Sequence, residues 1–493
     1  MVKFFTVQFL LILTVLCSGQ ARAWNNSGPA FSIWPDTGQT TCYDASYNAF
    51  GYILDPCPAE GQPLYGQDAQ YAGPARFYTK LDGSDNALPE SAASWTMVRD
   101  NVTGLIWEGK RNRDSVQDYA NPHDADNTYT WCDTNPAANG GNPGICGANG
   151  SEDFLAALNN SAYGGYTDWR LPTIKELKTL VDRSRFNPSI STAYFPNKVP
   201  SPYWSSTTNA GFTDSAWLVH FYYSTDGASI KSNIAYVRAV RGGQVSPEER
   251  FVVNGATVLD TVTCLEWQRA TADVSGDGAP DGMSWQDALA YAEGLSLGGY
   301  TDWRLPDINE LISIVDYSRF APAIDTAAFP NIPSTWYWTS TTNPSATSQA
   351  LVVDCRTGQN GSFNRTSEFL NYVRAVRGVQ CKVNVRVRVL GNGKGVVTAV
   401  PGEIDFMHPA TSEAVSTLLA LGTEIVLTAT ADEYFTTYWL DCASAGGIVS
   451  GNGTSIATCS FSSLDSSKSV TAILSRDFPW PMFLPAITNS TQP

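Results

Sequence analysis

The stretch Gly164-Gly165-Tyr166-Thr167-Asp168-Trp169-Arg170-Leu171-Pro172 (GGYTDWRLP) returns letter for letter at Gly298–Pro306. A Gly-Gly pair suits a tight turn, an extended aromatic segment follows, and the proline closes it. After Pro172 come Thr173-Ile174-Lys175-Glu176-Leu177, and after Pro306 come Asp307-Ile308-Asn309-Glu310-Leu311. Thr or Asp followed three residues later by Glu is a capping box, in which side chains satisfy the free amides of a helix start. Ile174, Leu177, Leu180 and Val181 then recur at helical spacing, matched by Ile308, Leu311, Ile314 and Val315. The motif reads as turn, extended segment, stop and capped helix.

The identity extends outward. At the same offset of 134 residues, Asp182 meets Asp316, Phe195-Pro196 meets Phe329-Pro330, and Tyr203-Trp204 meets Tyr337-Trp338. Tyr236–Gly242 matches Tyr372–Gly378 at an offset of 136, and Val102–Trp107 resembles Val262–Trp267. The chain therefore carries two copies of one domain, 95–243 and 251–380. Each reads as two helices followed by short antiparallel strands, an α+β pattern. Copy one has an Asn/Gly-rich insertion between Trp131 and Asp153, long enough to serve as a contact loop. Residues 382–475 alternate or run β-branched and predict a β-rich module. Residues 24–94 form a polar, turn-rich segment without a clear fold, and 476–493 a proline-rich tail.

Residues 1–23 read as a secretory signal peptide: Lys3, an apolar core over 9–16, and Ala21-Arg22-Ala23 before Trp24. No later stretch is apolar and long enough to span a membrane. The net charge of −16 argues against nucleic acid, where cationic side chains dominate affinity. Cysteine spacing fits export, with local bridges expected for Cys42–Cys57, Cys132–Cys146 and Cys442–Cys459. The pairing of Cys264, Cys355 and Cys381 stays open.

The run Gly-Tyr-Thr-Asp-Trp-Arg-Leu-Pro with its Glu-Leu, the later Tyr-Trp, and the closing Val-Arg-Ala-Val-Arg-Gly resemble the Lcl C-terminal domain family, named for a collagen-like bacterial adhesin. Arg-Leu-Pro-Thr-x-x-Glu is more distantly similar to formylglycine-generating enzymes and C-type-lectin-like folds. The resemblance implies two tandem C-type-lectin-like domains. Val389–Thr398, Gly422–Ala429, Tyr438–Cys442 and Val470–Ala472 resemble the divergent internalin-B-type bacterial repeat, which implies a β-grasp-like stalk.

Candidate sites divide by task. Asp168, Trp169, Arg170 and Glu176, with Asp302, Trp303, Arg304 and Glu310, read as structural: the Glu residues cap helices, the Arg residues pair with carboxylates or carbonyls, and the Trp residues pack. Asp273, Ser275, Asp277 and Asp281 follow the first part of a calcium loop, although position twelve is Ser284 instead of a bidentate Glu. Calcium is thus the candidate cofactor. Trp131 and Trp336 are the candidate ligand-stacking aromatics, whereas the register of Trp204 and Trp338 places them in the core. No nucleophile elbow is present, and the cysteines match no formylglycine-generating pattern. The expectation is a secreted or surface-exposed bacterial protein, non-catalytic, that recognises an extracellular glycan or protein through loops. A degenerate or metal-dependent enzyme of the formylglycine-generating type, and a structural envelope component, are the alternatives.

Overall fold

A computed structural model describes residues 34–45, 51–242, 250–366 and 368–378 and, with short gaps, 382–476. The expected signal peptide and the tail beyond 476 lie outside the described residues. The described chain is β-rich, built mostly from small antiparallel sheets with few helices.

Each copy repeats one plan. In copy one, strands Tyr78–Leu81, Met97–Asp100, Ile106–Glu108 and Val240–Arg241 form an antiparallel sheet. The counterpart in copy two is Phe251–Asn254, Thr257–Asp260, Leu265–Gln268 and Val376–Gly378. A second, three-stranded sheet runs through Pro202–Thr208, Ser215–His220 and Thr225–Ile230, matched by Trp336–Thr342, Gln349–Asp354 and Asn360–Asn364. The helices are α1 (Ser151–Asn160) and α2 (Ile174–Thr179) in copy one, α3 (Trp285–Glu293) and α4 (Ile308–Ser313) in copy two. Tyr78–Leu81 lies upstream of residue 95 and joins the first copy's sheet. Its register on Met97–Asp100 makes it the sheet's edge strand.

The copies are not beads on a string. One core cluster draws residues from both, including Leu177, Val181 and Trp217 from the first and Leu311, Val315 and Tyr317 from the second. At this junction the buried Lys178 pairs with Asp226 and donates to the Tyr317 hydroxyl at 2.5 Å. The Asn360 amide donates to the other Asp226 oxygen at 2.8 Å. At the 134-residue offset Lys178 is replaced by Ile312 and Asp226 by Asn360, so the two faces are complementary but not identical. Breaking a buried ion pair leaves an uncompensated charge, so this junction resists separation.

Residues 34–45 and 51–76 strap both copies together. The Arg183 amide donates to the Thr37 carbonyl at 2.8 Å, and Asn309 Nδ2 donates to the Pro35 carbonyl at 2.9 Å. Gln39 reaches the Arg183 carbonyl of copy one and accepts from the Thr342 amide of copy two. Cys42–Cys57 closes the segment on itself.

The C-terminal module packs a four-stranded sheet containing Val385–Leu390 against a five-stranded sheet containing Ile425–Ala431. Alternation explains the geometry: Val385, Val387 and Val389 point into the core and their neighbours point out. Cys442–Cys459 lies in that core. Among the described residues this module carries no helix.

Candidate functional site

Both copies of GGYTDWRLP adopt one geometry. Gly164 and Gly165 sit at φ 65° and 83°, Gly298 and Gly299 at 65° and 86°, the left-handed region that favours glycine. The Trp169 indole donates to the Tyr163 carbonyl, and that of Trp303 to Leu297. Arg170 grips Glu176 with two bonds of 2.7 Å, and Arg304 grips Glu310 in the same fork. The same glutamates accept the amides of Thr173 and Asp307, completing capping boxes on α2 and α4. Asp168 holds Arg241 over the Tyr166 ring, and Asp302 holds Arg377 over Tyr300. In both copies the Asp, the Trp and the Arg of the motif each have an intramolecular partner, which is the behaviour of a folding element.

Trp131 corrects an expectation. It is fully buried, its indole N–H donates to the Ser205 carbonyl, and the Lys231 ammonium lies 4.0 Å from its ring centroid. Trp285 makes the matching bond to Thr339 and begins α3. In copy one the insertion separates the tryptophan from its helix, and the Ser151 hydroxyl ties α1 back to Cys132. The insertion made Trp131 look like a loop residue, yet it keeps a core position. Trp336 is half-buried and packs edge-on against Phe363. Trp204 and Trp338 are fully buried.

The calcium-like loop satisfies itself. Asp281 accepts the amides of Val274 and Ser275 at 2.7 Å, and Asp273 accepts those of Gly276 and Gly278. Asp277 caps the Ala279 amide. Ser284, at position twelve, is the N-cap of α3 and accepts the Asp287 amide. Copy one repeats the clamp without the motif: Asp126 accepts the amides of Asp114 and Ser115 at 2.8 and 2.7 Å. Among the described residues, the three loop carboxylates do not form a converging group. Cys132, Cys146 and Glu152 do converge, but the two sulfurs are joined as a disulfide.

Of the remaining cysteines, Cys264 is disulfide-bonded and Cys355 is a buried free thiol, which burial pushes up to about 12. Glu108, Lys110 and His123 form a buried acid–base cluster. Burial opposes ionisation of Glu108, but Lys110, His123 and the Ala239 amide outweigh it and hold the carboxyl below its ordinary value.

A wide groove of about 1200 Å³ opens where residues 60–71 face α3 and the second motif. Tyr65 and Tyr71 form one side, their rings 6.4 Å apart and edge-on. Gln286, Asp287 and Glu293 of α3 form the other, with Thr301 and Asp302 at the end. The Tyr71 hydroxyl donates to Glu293, and burial raises that carboxyl above its usual range. Arg304 lies 5.0 Å from the Tyr71 ring but spends its donors on Glu310. The groove thus offers aromatic faces, amides and carboxylates. Sequence reasoning missed Tyr71 and Glu293 because 222 residues separate them and neither sits in a motif.

The repeat geometry agrees with comparison to known families: the Lcl C-terminal domain matches residues 96–241 and 256–377, more than half the chain. The chain belongs to the Lcl C-terminal domain family. Comparison with curated proteins and with solved structures gives no match. Membership of the Lcl family suggests a bacterial surface or extracellular domain, and the disulfides of both copies fit that setting. Among the described residues, no helix of the Lcl copies or the β module is long and apolar enough to cross a membrane.

Proposed function

We propose that this chain is a secreted or surface-exposed bacterial recognition protein that binds an extracellular glycan or protein without catalysing a reaction. The observation that carries the reading is the open groove between Tyr65–Tyr71 and α3. Aromatic faces stack on apolar sugar surfaces, and amides and carboxylates accept or donate to hydroxyls around them. Its carboxylates, Asp287, Glu293 and Asp302, disfavour sulfated or otherwise anionic glycans. Neutral or cationic ligands fit better.

The non-catalytic part rests on chemistry. A formylglycine-generating-type reaction needs accessible cysteine, and the Cys355 thiol is buried and held protonated. The Glu108–Lys110–His123 cluster neutralises itself inside the fold. A purely structural role is the second reading, favoured by the buried Lys178–Asp226 junction that fuses the copies.

A glycan array probed in calcium and in EDTA, with wild type and Tyr65→Ala, tests the proposal. Binding in both buffers that falls at least ten-fold in the variant is the expected result. Silence of the wild-type protein in both buffers, on glycans and on an extracellular-matrix protein panel, would favour the scaffold.

A further inference from the structure

The two copies hold two unrelated segments with one set of positions. In copy two, Arg365 lies over the Trp285 ring, 4.4 Å from its centroid, and donates to the carbonyls of Tyr43 and Asp44 in the strap. Thr342 gives its amide to Gln39 Oε1 and accepts Gln39 Nε2 on its carbonyl. At the 134-residue offset Arg365 becomes Lys231 and Thr342 becomes Thr208. Lys231 lies 4.0 Å from the centroid of Trp131, the counterpart of Trp285. Its ammonium donates to the carbonyls of Asn139 and Asn142 in the insertion at 2.8 and 2.7 Å, and the Thr208 hydroxyl donates to that of Ala138.

The captured segments, Gln39–Asp44 and Ala138–Asn142, share no residue type. What the two surfaces have in common is a cation on a tryptophan that binds main-chain carbonyls, a bond that its charge strengthens and that any peptide can supply. Burial lowers the Lys231 ammonium to about 8 against the nearby Asp133 and Asp214, so at pH 7 it keeps its proton. Each segment is closed by its own disulfide, Cys42–Cys57 and Cys132–Cys146. The bridges differ in access. Cys42, Cys442 and Cys459 are fully buried and Cys57 is half-buried, whereas Cys146 is exposed. Ile145, the insertion's one large aliphatic residue, is 53% exposed, so few apolar contacts hold the insertion down once its disulfide is gone.

We infer that the insertion is a removable cover over a peptide-binding surface of copy one, and that reduction of Cys132–Cys146 lifts it. The ligand is a strap-like segment of a partner polypeptide, its main-chain carbonyls bound to Lys231 as the strap's are bound to Arg365. A dithiol supplies the two electrons. Its thiolate attacks the Cys146 sulfur, and the Cys132 thiolate leaves and takes a proton. The second thiol then closes the reductant's own disulfide and releases Cys146, which is protonated in turn. This surface belongs to copy one, apart from the groove at Tyr71, and neither depends on the other.

The probe is a fluorescein-labelled peptide of residues 36–57, closed by its own disulfide. In anisotropy, the whole protein carrying Cys132→Ser and Cys146→Ser should bind it saturably and at least ten-fold more tightly than wild type. Adding Lys231→Met should weaken that binding at least ten-fold. Adding Lys231→Arg, the residue that copy two uses, should keep it within about three-fold. No binding by the double variant at millimolar probe, equal binding by wild type, or binding untouched by Lys231→Met overturns the inference. Thermal melts that coincide for the two Lys231 variants ensure that lost binding is not lost folding. Separately, wild type is titrated with dithiothreitol and alkylated with iodoacetamide. Cys132 and Cys146 should be the first bridged cysteines labelled, and earlier labelling of any other bridged pair overturns the redox release.

Discussion

The indole N–H of Trp131 donates to the Ser205 carbonyl at 2.8 Å, which locks the residue just before the insertion into the core of copy one. Truncating a buried tryptophan removes its apolar contacts and leaves a cavity, typically about 3–5 kcal/mol. Trp131→Ala should therefore lower the urea midpoint of the protein, and Trp285→Ala should do so by a similar amount. Glycan binding should fall only in proportion to the unfolded fraction. Full stability of Trp131→Ala with lost binding would restore the stacking role.

Arg170–Glu176 and Arg304–Glu310 are the same fork in different surroundings. The Arg170 side chain is 40% exposed, whereas that of Arg304 is 7% exposed. Exposed pairs contribute about 0–1 kcal/mol, and breaking a buried one costs about 3–5 kcal/mol. Glu310→Gln should thus destabilise several-fold more than Glu176→Gln in denaturant titrations. Equal effects would mean that the capping bonds, shared by both, outweigh the ion pairs.

The loop Asp273–Asp281 looks like a calcium loop in sequence and a self-capped turn in space. Two loop amides, Ser275 first and Val274 second, hold the Asp281 carboxyl below its ordinary range. Asp281→Ala should speed hydrogen exchange at Val274 and Ser275 to the same extent in calcium and in EDTA. The wild-type exchange pattern should not respond to calcium. A calcium-dependent slowing confined to this loop would reinstate the metal.

The repeat made much of this legible. The capping boxes, the paired tryptophans and the three local disulfides follow from spacing and residue chemistry, because each is settled within a few residues of chain. What stayed hidden depends on distant pairs. Asp68 meets Thr341 across 273 residues, and Lys178 meets Tyr317 across 139, so no local window holds both partners. Residues 34–45 and 51–76 read as shapeless because their order comes from contacts with the two copies they strap, such as Thr37 with Arg183 and Asp68 with Thr341. Trp131 misled for a related reason, since an insertion after a core residue makes it resemble a loop residue.

The same hidden contact sets a pH dependence. Asp68 is buried between the Thr37 and Thr341 hydroxyls, with Asp36, Asp307 and Glu310 nearby. Burial raises its carboxyl from 3.8 to about 7, the hydroxyls opposing. The folded state therefore holds a proton that the unfolded chain releases at lower pH. Stability from this group is present below about pH 4 and is lost progressively as pH rises through about 7. The strap should accordingly dock more firmly at pH 5 than at pH 8. Hydrogen exchange at the Arg183 amide, corrected for the intrinsic pH effect, measures this directly because that amide binds the Thr37 carbonyl. Asp68→Asn keeps the shape without the titration and should flatten the difference. A slope that persists in Asp68→Asn would move the cause to Asp307, whose carboxyl burial also raises.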